Sequence, residues 1–312
     1  MNELELIARL CPDLATSDVV ITGAGDDCAV LDLGLADRFV LFKTDAVVEG
    51  FHFVADTPGE AVGHKALGRC LSDVAAMGGT PVSAVVTIGL PPGFAFERVA
   101  AIYRGLNALA RRHQVAVVGG ETTTNPERTW LSLAVIGTVG KTTCLRRSGA
   151  QAGDALFVTG ELGGALAGKH LTFEPRLREG QWLAQQGTVH AMIDLSDGLA
   201  TDLRHLLRAS GVGAEVLVRA IPISRAVRRA SGTSAGPRKT PLLAALTDGE
   251  DFELLFAVAR RAAVPLLDAW KAQFPNVRLS CLGRITAEGG VRLRDRHGVR
   301  SLEAHGYVHF SS

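Results

Sequence analysis

Acidic residues recur along this chain beside glycines and at the ends of apolar segments, where their carboxylates could gather around a metal ion. They stand as Gly25-Asp26-Asp27 before an apolar strand, Thr44-Asp45 at a strand's end and Ser72-Asp73 late in a helix; further on, Asp194-Leu195-Ser196-Asp197-Gly198 opens a helix and Gly249-Glu250-Asp251 precedes a strand. Magnesium takes octahedral oxygen ligands at ~2.0–2.1 Å, usually one or two carboxylates with waters and substrate phosphates. Any single pair of this kind reads more readily as an ordinary turn or helix cap. The recurrence favours a metal and phosphate site. Asp26-Asp27 favours it most, because adjacent like charges beside an apolar strand repel unless a cation neutralises them.

Other groups could serve the same chemistry. His52 follows Asp45 in Glu49-Gly50-Phe51-His52-Phe53, and Arg147 and Arg176 could each clamp phosphate with a planar fork of donors. Tyr307, one of two tyrosines, could stack on a ring or close the core. Gly163 to Lys169 fits the phosphate-loop pattern GxxxxGK after an apolar strand, but His170 stands where Ser or Thr would hold magnesium. Gly140-Lys141-Thr142 has the threonine, with Val135 in place of the first glycine. Among 35 glycines such matches arise by chance, and both read as turns or helix starts.

The elements that must position these residues alternate between strand and helix. Apolar runs predict strands at 28–33, 38–48, 82–90, 115–118 and 130–139, with helical spacing at 59–77 and 94–113. Beyond a glycine-rich join near Arg147 to Asp154, strands are expected at 155–159, 214–218, 252–258 and 278–285. Helices are expected at 164–170, 176–186 and 199–209, the last stopped by Ser210-Gly211. The segment 232–239 reads as a mobile surface loop. These elements make an α/β (α+β) chain of two domains, residues 1–146 and 147–312.

Bulk composition narrows the class. The chain has 312 residues, enough for two domains, with 47% hydrophobic and 21% charged residues and a formal charge of +1. Neither a disordered chain nor a nucleic-acid binder driven by bulk charge fits. Cys11, Cys28, Cys70, Cys144 and Cys281 lie far apart without a CxxC pair, which points to free thiols in a reducing cytoplasm. No targeting segment or membrane-spanning run is visible.

Nine segments in order resemble the thiamine-monophosphate kinases of the aminoimidazole-ribotide-synthetase-like superfamily. They are GAGDDCAV (23–30), TDAVVEGFHF (44–53), LSDVAAMGGTP (71–81), GGETT (119–123), RSGAQAGD (147–154), EPRLREG (174–180), MIDLSDGLATDL (192–203), DGEDFELLF (248–256) and GYVHF (306–310). The resemblance implies an N-terminal domain that binds ATP and metal and pairs in a homodimer, with ATP near that interface, and a C-terminal α/β domain completing the substrate site. It implies several Mg2+ ions on Asp27, Thr44, Asp45, Asp73, Glu121, Asp194 and Asp197. It places Tyr103, Gly120, Glu121, Arg147 and Ser196 on ATP, and His52, Glu250 and Tyr307 on thiamine monophosphate. Asp45, Asp73 and Arg147 would be catalytic. Two positions depart from the family pattern: Glu121 replaces an aspartate, and Lys43 stands where a small hydroxyl residue is common. Glu121 is expected at a strand end, reaching a site shared with Asp45.

The acceptor phosphate is already ionised at neutral pH, so the implied reaction needs charge shielding and in-line positioning rather than a strong base. Rival readings are a selenophosphate or aminoimidazole ribotide synthetase of the same superfamily, or a nucleotide-binding module without turnover. VEGFHF and GYVHF argue against the first, and Glu121 keeps the second open.

Overall fold

The computed structural model describes residues 3–230 and 239–307. Val308, His309 and Phe310, and all but Lys239 of the predicted loop at 232–239, lie outside them. The chain forms two compact units, one of Asp18–Cys144 with His170–Gln181, the other of Met1–Ser17, Leu145–Lys169 and Trp182–Ser312. Helix α1 (Glu3–Leu10) falls in the second of these.

The first unit is a six-stranded sheet with one face covered. Strands β1 (Val20–Thr22), β2 (Ala29–Leu31), β3 (Arg38–Val48), β4 (Thr80–Leu90), β5 (Ala116–Thr124) and β6 (Trp130–Gly140) lie in the order β1-β2-β3-β6-β4-β5. Neighbours run antiparallel except β4 and β5. Leu41, Val47, Val86, Ile88, Leu131, Leu133 and Val135 alternate onto the buried face, the pattern of a half-covered sheet. Helix α2 (Gly59–Ala76) packs there, buried along almost its whole length, with α3 (Phe96–Arg112) against it.

Close approach of the two helices rests on glycine. A Cβ on Gly63 would fall on the carbonyl of Ile102, and one on Gly105 would fall on that of Glu60. Helix α2 ends just after Asp73 because Gly78 adopts φ 69° and closes a Schellman cap, Gly78 N–H donating to Ala75 O and Gly79 N–H to Val74 O, both at 2.9 Å.

The second unit has a seven-stranded sheet. After β7 (Ala155–Thr159), α4 (Leu177–Ala184) leads to β8 (Val189–Asp194), α5 (Leu199–Ser210), β9 (Gly213–Leu217), α6 (Arg225–Ala230), α7 (Pro241–Thr247) and β10 (Leu254–Val258). Helix α8 (Ala263–Gln273) and strands β11 (Leu279–Thr286), β12 (Gly290–Asp295) and β13 (Gly298–Ser301) follow. The sheet order is β13-β12-β9-β11-β7-β10-β8. Strand β10 is buried at every residue, as the unbroken apolar run Leu254–Val258 requires. Leu203, Leu206 and Leu207 of α5 join Leu156, Val158, Ile193 and Leu255 in the core.

Two expectations need correcting here. Residues 164–170 are not a helix but single 3-10 turns at Ala165–Ala167 and Lys169–Leu171, because Gly163, Gly164 and Gly168 take φ of 80°, 74° and 134° and interrupt helical geometry. Nor do the expected strand ends hold: Thr44 and Asp45 lie within β3, which continues to Val48, paired with Trp130, and Glu121 lies within β5, whose pairing with β4 continues to Thr124.

Candidate active site

The first unit gathers its charge where α2 crosses β3. Lys43 and Asp45 share the buried face of β3, two residues apart, as the period of a strand dictates. Their partners come from successive turns of α2. Arg69 grips Asp45 through two parallel bonds, Nε to Oδ2 and one terminal nitrogen to Oδ1, both 3.0 Å. Lys43 Nζ lies 3.0 Å from Asp73 Oδ1, with the Asp73 side chain 9% exposed. Burial acts against the Lys43 charge, but the Asp73 and Asp45 carboxylates outweigh it and raise its pKa. Burial likewise opposes ionised Asp45, and Arg69 and Lys43 overcome it, holding the carboxyl below its ordinary range. Asp27 is buried at 1% exposure beside Cys28, whose thiol is pushed up by burial and by Asp73.

Sequence reasoning missed Lys65 and Arg69. The signal was present, since Lys65, Arg69 and Asp73 recur every four residues as one charged stripe among mostly apolar buried neighbours. Lys65 is fully buried, its Nζ donating to His52 O at 2.6 Å. The His52 ring accepts from Val48 N–H through Nδ1 at 3.1 Å, which puts the neutral ring's proton on Nε2.

Thr44 and Glu121 occupy the other face. Thr44 Oγ1 lies 3.3 Å from Ser132 Oγ. The register places Glu121 opposite Thr87, Thr87 opposite Ser132, and Ser132 opposite Ala46. Three strand spacings, about 14 Å, therefore separate Glu121 from β3, and its side chain leaves the face opposite Asp45. Two ligands of one magnesium ion lie within about 4 Å of each other, so within one chain's sheet Glu121 does not share an ion with Asp45. Gly120 is set by packing, since a Cβ there would run into Val86 of β4. Tyr103 lies half-buried on α3. If Glu121 ligates metal through charge alone, Glu121→Asp retains turnover with a shifted magnesium requirement and Glu121→Gln loses about tenfold or more. A magnesium titration checks this, and identical curves for wild type and Glu121→Gln would remove Glu121 from the ligands.

The second unit brings three predicted segments together by backbone hydrogen bonds. Strand β8 ends at Asp194 and α5 begins at Leu199, so Asp194 to Gly198 is the turn between them. Glu250 N–H donates to Ser196 O at 2.7 Å, and Tyr307 N–H to Asp197 O at 2.9 Å. Asp197 N–H donates to Asp202 Oδ2 at 3.0 Å. Asp202 was missed from sequence. Complete burial, then Asp197 and Asp194, push its carboxyl well up, with Arg147 acting in the opposite sense. Arg147 O accepts from Ser210 Oγ at 3.1 Å. His205 is driven down to about 4 by burial and then by Arg147 and Arg208, so it is neutral at pH 7. Glu250 and Phe252 adopt φ of 56° and 50°, a costly conformation that marks this turn as constrained. Arg176 lies in the first unit with Nη1 3.7 Å from Glu179 Oε1.

The phosphate-loop match is filled from within. Gly163 N–H points at both oxygens of Asp251, each 3.0 Å away, and Gly164 N–H donates to Asp248 Oδ2 at 3.2 Å. Lys169 Nζ lies 2.8 Å from buried Glu253. Both glycine amides and the lysine are thus engaged by the protein's own acidic side chains.

Residues 25–139 match the N-terminal domain of AIR synthase related protein, and residues 117–296 match its C-terminal domain. The thiamine-monophosphate kinase of Rhodopirellula baltica is 41% identical across 87% of this chain and 85% of its own. That of Salmonella typhimurium is 35% identical across 100% of this chain and 99% of its own. The structure of AaThiL complexed with AMPPCP and TMP superposes with a TM-score of 0.83 at 29% identity, covering 99% of this chain and 97% of that one. With similarity that runs the length of both units, the chain belongs to the thiamine-monophosphate kinases of the AIR synthase related family.

Proposed function

We propose that this chain transfers the γ-phosphate of ATP to thiamine monophosphate, giving thiamine diphosphate by direct in-line displacement. The observation that carries the reading is end-to-end similarity to a neighbour complexed with AMPPCP and TMP. Residues 1–146 would bind ATP and metal and dimerise, and residues 147–312 would supply the remaining substrate contacts.

Asp27, Thr44, Asp45, Asp73, Glu121, Asp194 and Asp197 would hold Mg2+. The donors are all hard oxygens, and the burial of Asp27, Asp73 and Asp194 suits carboxylates kept ionised by a cation. Magnesium there would supply charge neutralisation between the two phosphate groups, which at 4 Å repel by about 4 kcal/mol per pair of unit charges at an effective dielectric of 20. Arg69 and Lys43 hold Asp45 and Asp73 in fixed orientations. Arg147 offers a planar fork to ATP, with Tyr103, Gly120, Glu121 and Ser196. His52 presents Nε2–H to the substrate, Glu250 supplies negative charge to its thiazolium cation, and the exposed Tyr307 ring can stack on it. The step needs no protein base, because the attacking phosphate oxygen already carries charge.

The active form is proposed to be a homodimer in the cytoplasm. The uncovered face of the first unit's sheet presents Phe42, Val82, Val85, Val118 and Ile136, each 40–64% exposed. Strands β3, β4 and β6 are each 11 residues long, which with their neighbours gives a face of about 700–1,000 Å², the area one partner gives to a stable interface. All five cysteines are free thiols, and among the described residues no helix is long and apolar enough to cross a membrane. Ile136→Asp, at the centre of that face opposite Phe42, is expected to give monomers by light scattering; a dimer of unchanged stability would place the interface elsewhere.

Turnover of ATP and thiamine monophosphate with magnesium, with selenide and aminoimidazole precursors as controls, tests the reading. Product formed only from thiamine monophosphate supports it, and its absence with all substrates rejects it.

A further inference from the structure

The last described segment, Leu302 to Tyr307, leaves β13 without joining another strand, so its backbone groups must be satisfied elsewhere. Leu302 N–H still donates to Val291 O of β12 at 2.9 Å, and four further groups are met by α5 and the turn before it. The Arg204 guanidinium donates to Ala304 O at 2.8 Å, to Leu302 O, and to Ala200 O of its own helix at 2.7 Å. One turn earlier, buried Thr201 accepts from Gly306 N–H through Oγ1 at 2.8 Å. The next residue, Tyr307, donates its N–H to Asp197 O. A Cβ on Gly306 would strike that same carbonyl, so the chain passes here as closely as glycine permits.

From these contacts we propose that Arg204 and Thr201 are positioning residues that latch the segment Leu302 to Tyr307 onto α5 and so fix Tyr307 beside the Ser196–Asp197 turn, setting the affinity for thiamine monophosphate. This rests on the reading that Tyr307 contacts that substrate. Two properties make the latch suited to the task. Arg204 lies one helical turn from Ala200 and spans two carbonyls of the arriving segment, so it fixes direction as well as distance. The planar fork does this in a fixed geometry, whereas a lysine is a compact point charge on a flexible stem. A residue that only positions a binding group alters substrate binding rather than the transfer step, so the effect belongs in KM for one substrate and not in kcat.

Steady-state kinetics of the full-length enzyme with each substrate varied, combined with hydrogen exchange at the Gly306 and Tyr307 amides, tests the proposal. Arg204→Ala and the near-isosteric Thr201→Val are expected to raise KM for thiamine monophosphate about tenfold, with kcat and the KM for ATP within about threefold of wild type. Both variants should exchange the two amides faster. Thr201→Ser, which keeps the hydroxyl, should restore wild-type values, and Arg204→Lys should fall between. Tyr307→Ala separates the two readings. If it raises KM for thiamine monophosphate while Arg204→Ala and Thr201→Val do not, the latch is overturned and the role of Tyr307 stands. If Tyr307→Ala itself leaves that KM unchanged, the substrate role of Tyr307 fails, and the latch loses its consequence for affinity even where exchange quickens. Equal rises in both KM values, unrelieved by Thr201→Ser, would mark a general loss of structure and also overturn it.

Discussion

Asp45→Asn and Asp73→Asn are each expected to lower turnover by about 10²-fold or more while the protein stays folded. Both carboxylates are positioned by cations: Arg69 holds Asp45 through two bonds, and Lys43 holds Asp73. An amide keeps the shape of the side chain and loses the charge, so packing survives and electrostatics does not. The change at Asp73 also strands a largely buried ammonium. Removing one partner of a buried pair costs about 3–5 kcal/mol, and the cost here should be smaller because Asp45 also neutralises Lys43. Adding Lys43→Met to Asp73→Asn should therefore recover stability without recovering turnover. Urea unfolding alongside turnover across a magnesium titration separates the two effects. Near-normal turnover in a folded Asp73→Asn enzyme would exclude that residue from the reaction.

The largest stability effect is expected at Gly105. Helix propensity alone predicts that Gly105→Ala stabilises α3 by about 1 kcal/mol. The structure predicts the opposite sign, because the new methyl group would coincide with the Glu60 carbonyl of α2. Reciprocal contact at Gly63 prevents either helix from sliding away cheaply, so the pair must separate and open the core between them. Destabilisation by about 2–4 kcal/mol is expected, read as a lower urea midpoint at unchanged m. A stabilised variant would mean that the helices are held apart in solution.

Strong periodicity made much of the fold legible. Strands β3 and β7 and the glycine stop of α5 fall where apolar runs and Ser210-Gly211 place them. Strand β8 was not read, because its apolar residues run directly into the Asp194 to Gly198 turn, whose composition suggested a helix start. Helices α7 and α8 contain proline in their first turns, and β12 and β13 carry arginines on short strands, so neither pair gives a clear period. The site residues were legible as a set of types but not as neighbours. That Glu121 stands three strands from β3 follows from the order β3-β6-β4-β5, which depends on pairings distant in sequence. Thr44 and Asp45 read as a strand's end, although the apolar run that holds them extends from 38 to 48. Asp45 is accommodated in the middle of β3 because α2 lays Arg69 over it and Asp73 over the neighbouring Lys43, while Thr44 points to the other face.

The turn at Gly163-Gly164 shows what a sequence pattern leaves out. Its amides converge as in an anion-binding nest, but they hold the protein's own side chains: Gly163 N–H meets Asp251, whose carboxyl burial raises to about 7, and Gly164 N–H donates to Asp248. The motif is thus a receptor carrying a permanent internal guest. Completing the string with His170→Ser would therefore create no new nucleotide site, because an incoming phosphate would first have to displace the Asp251 and Asp248 side chains, which the fold holds against this turn from the segment before β10.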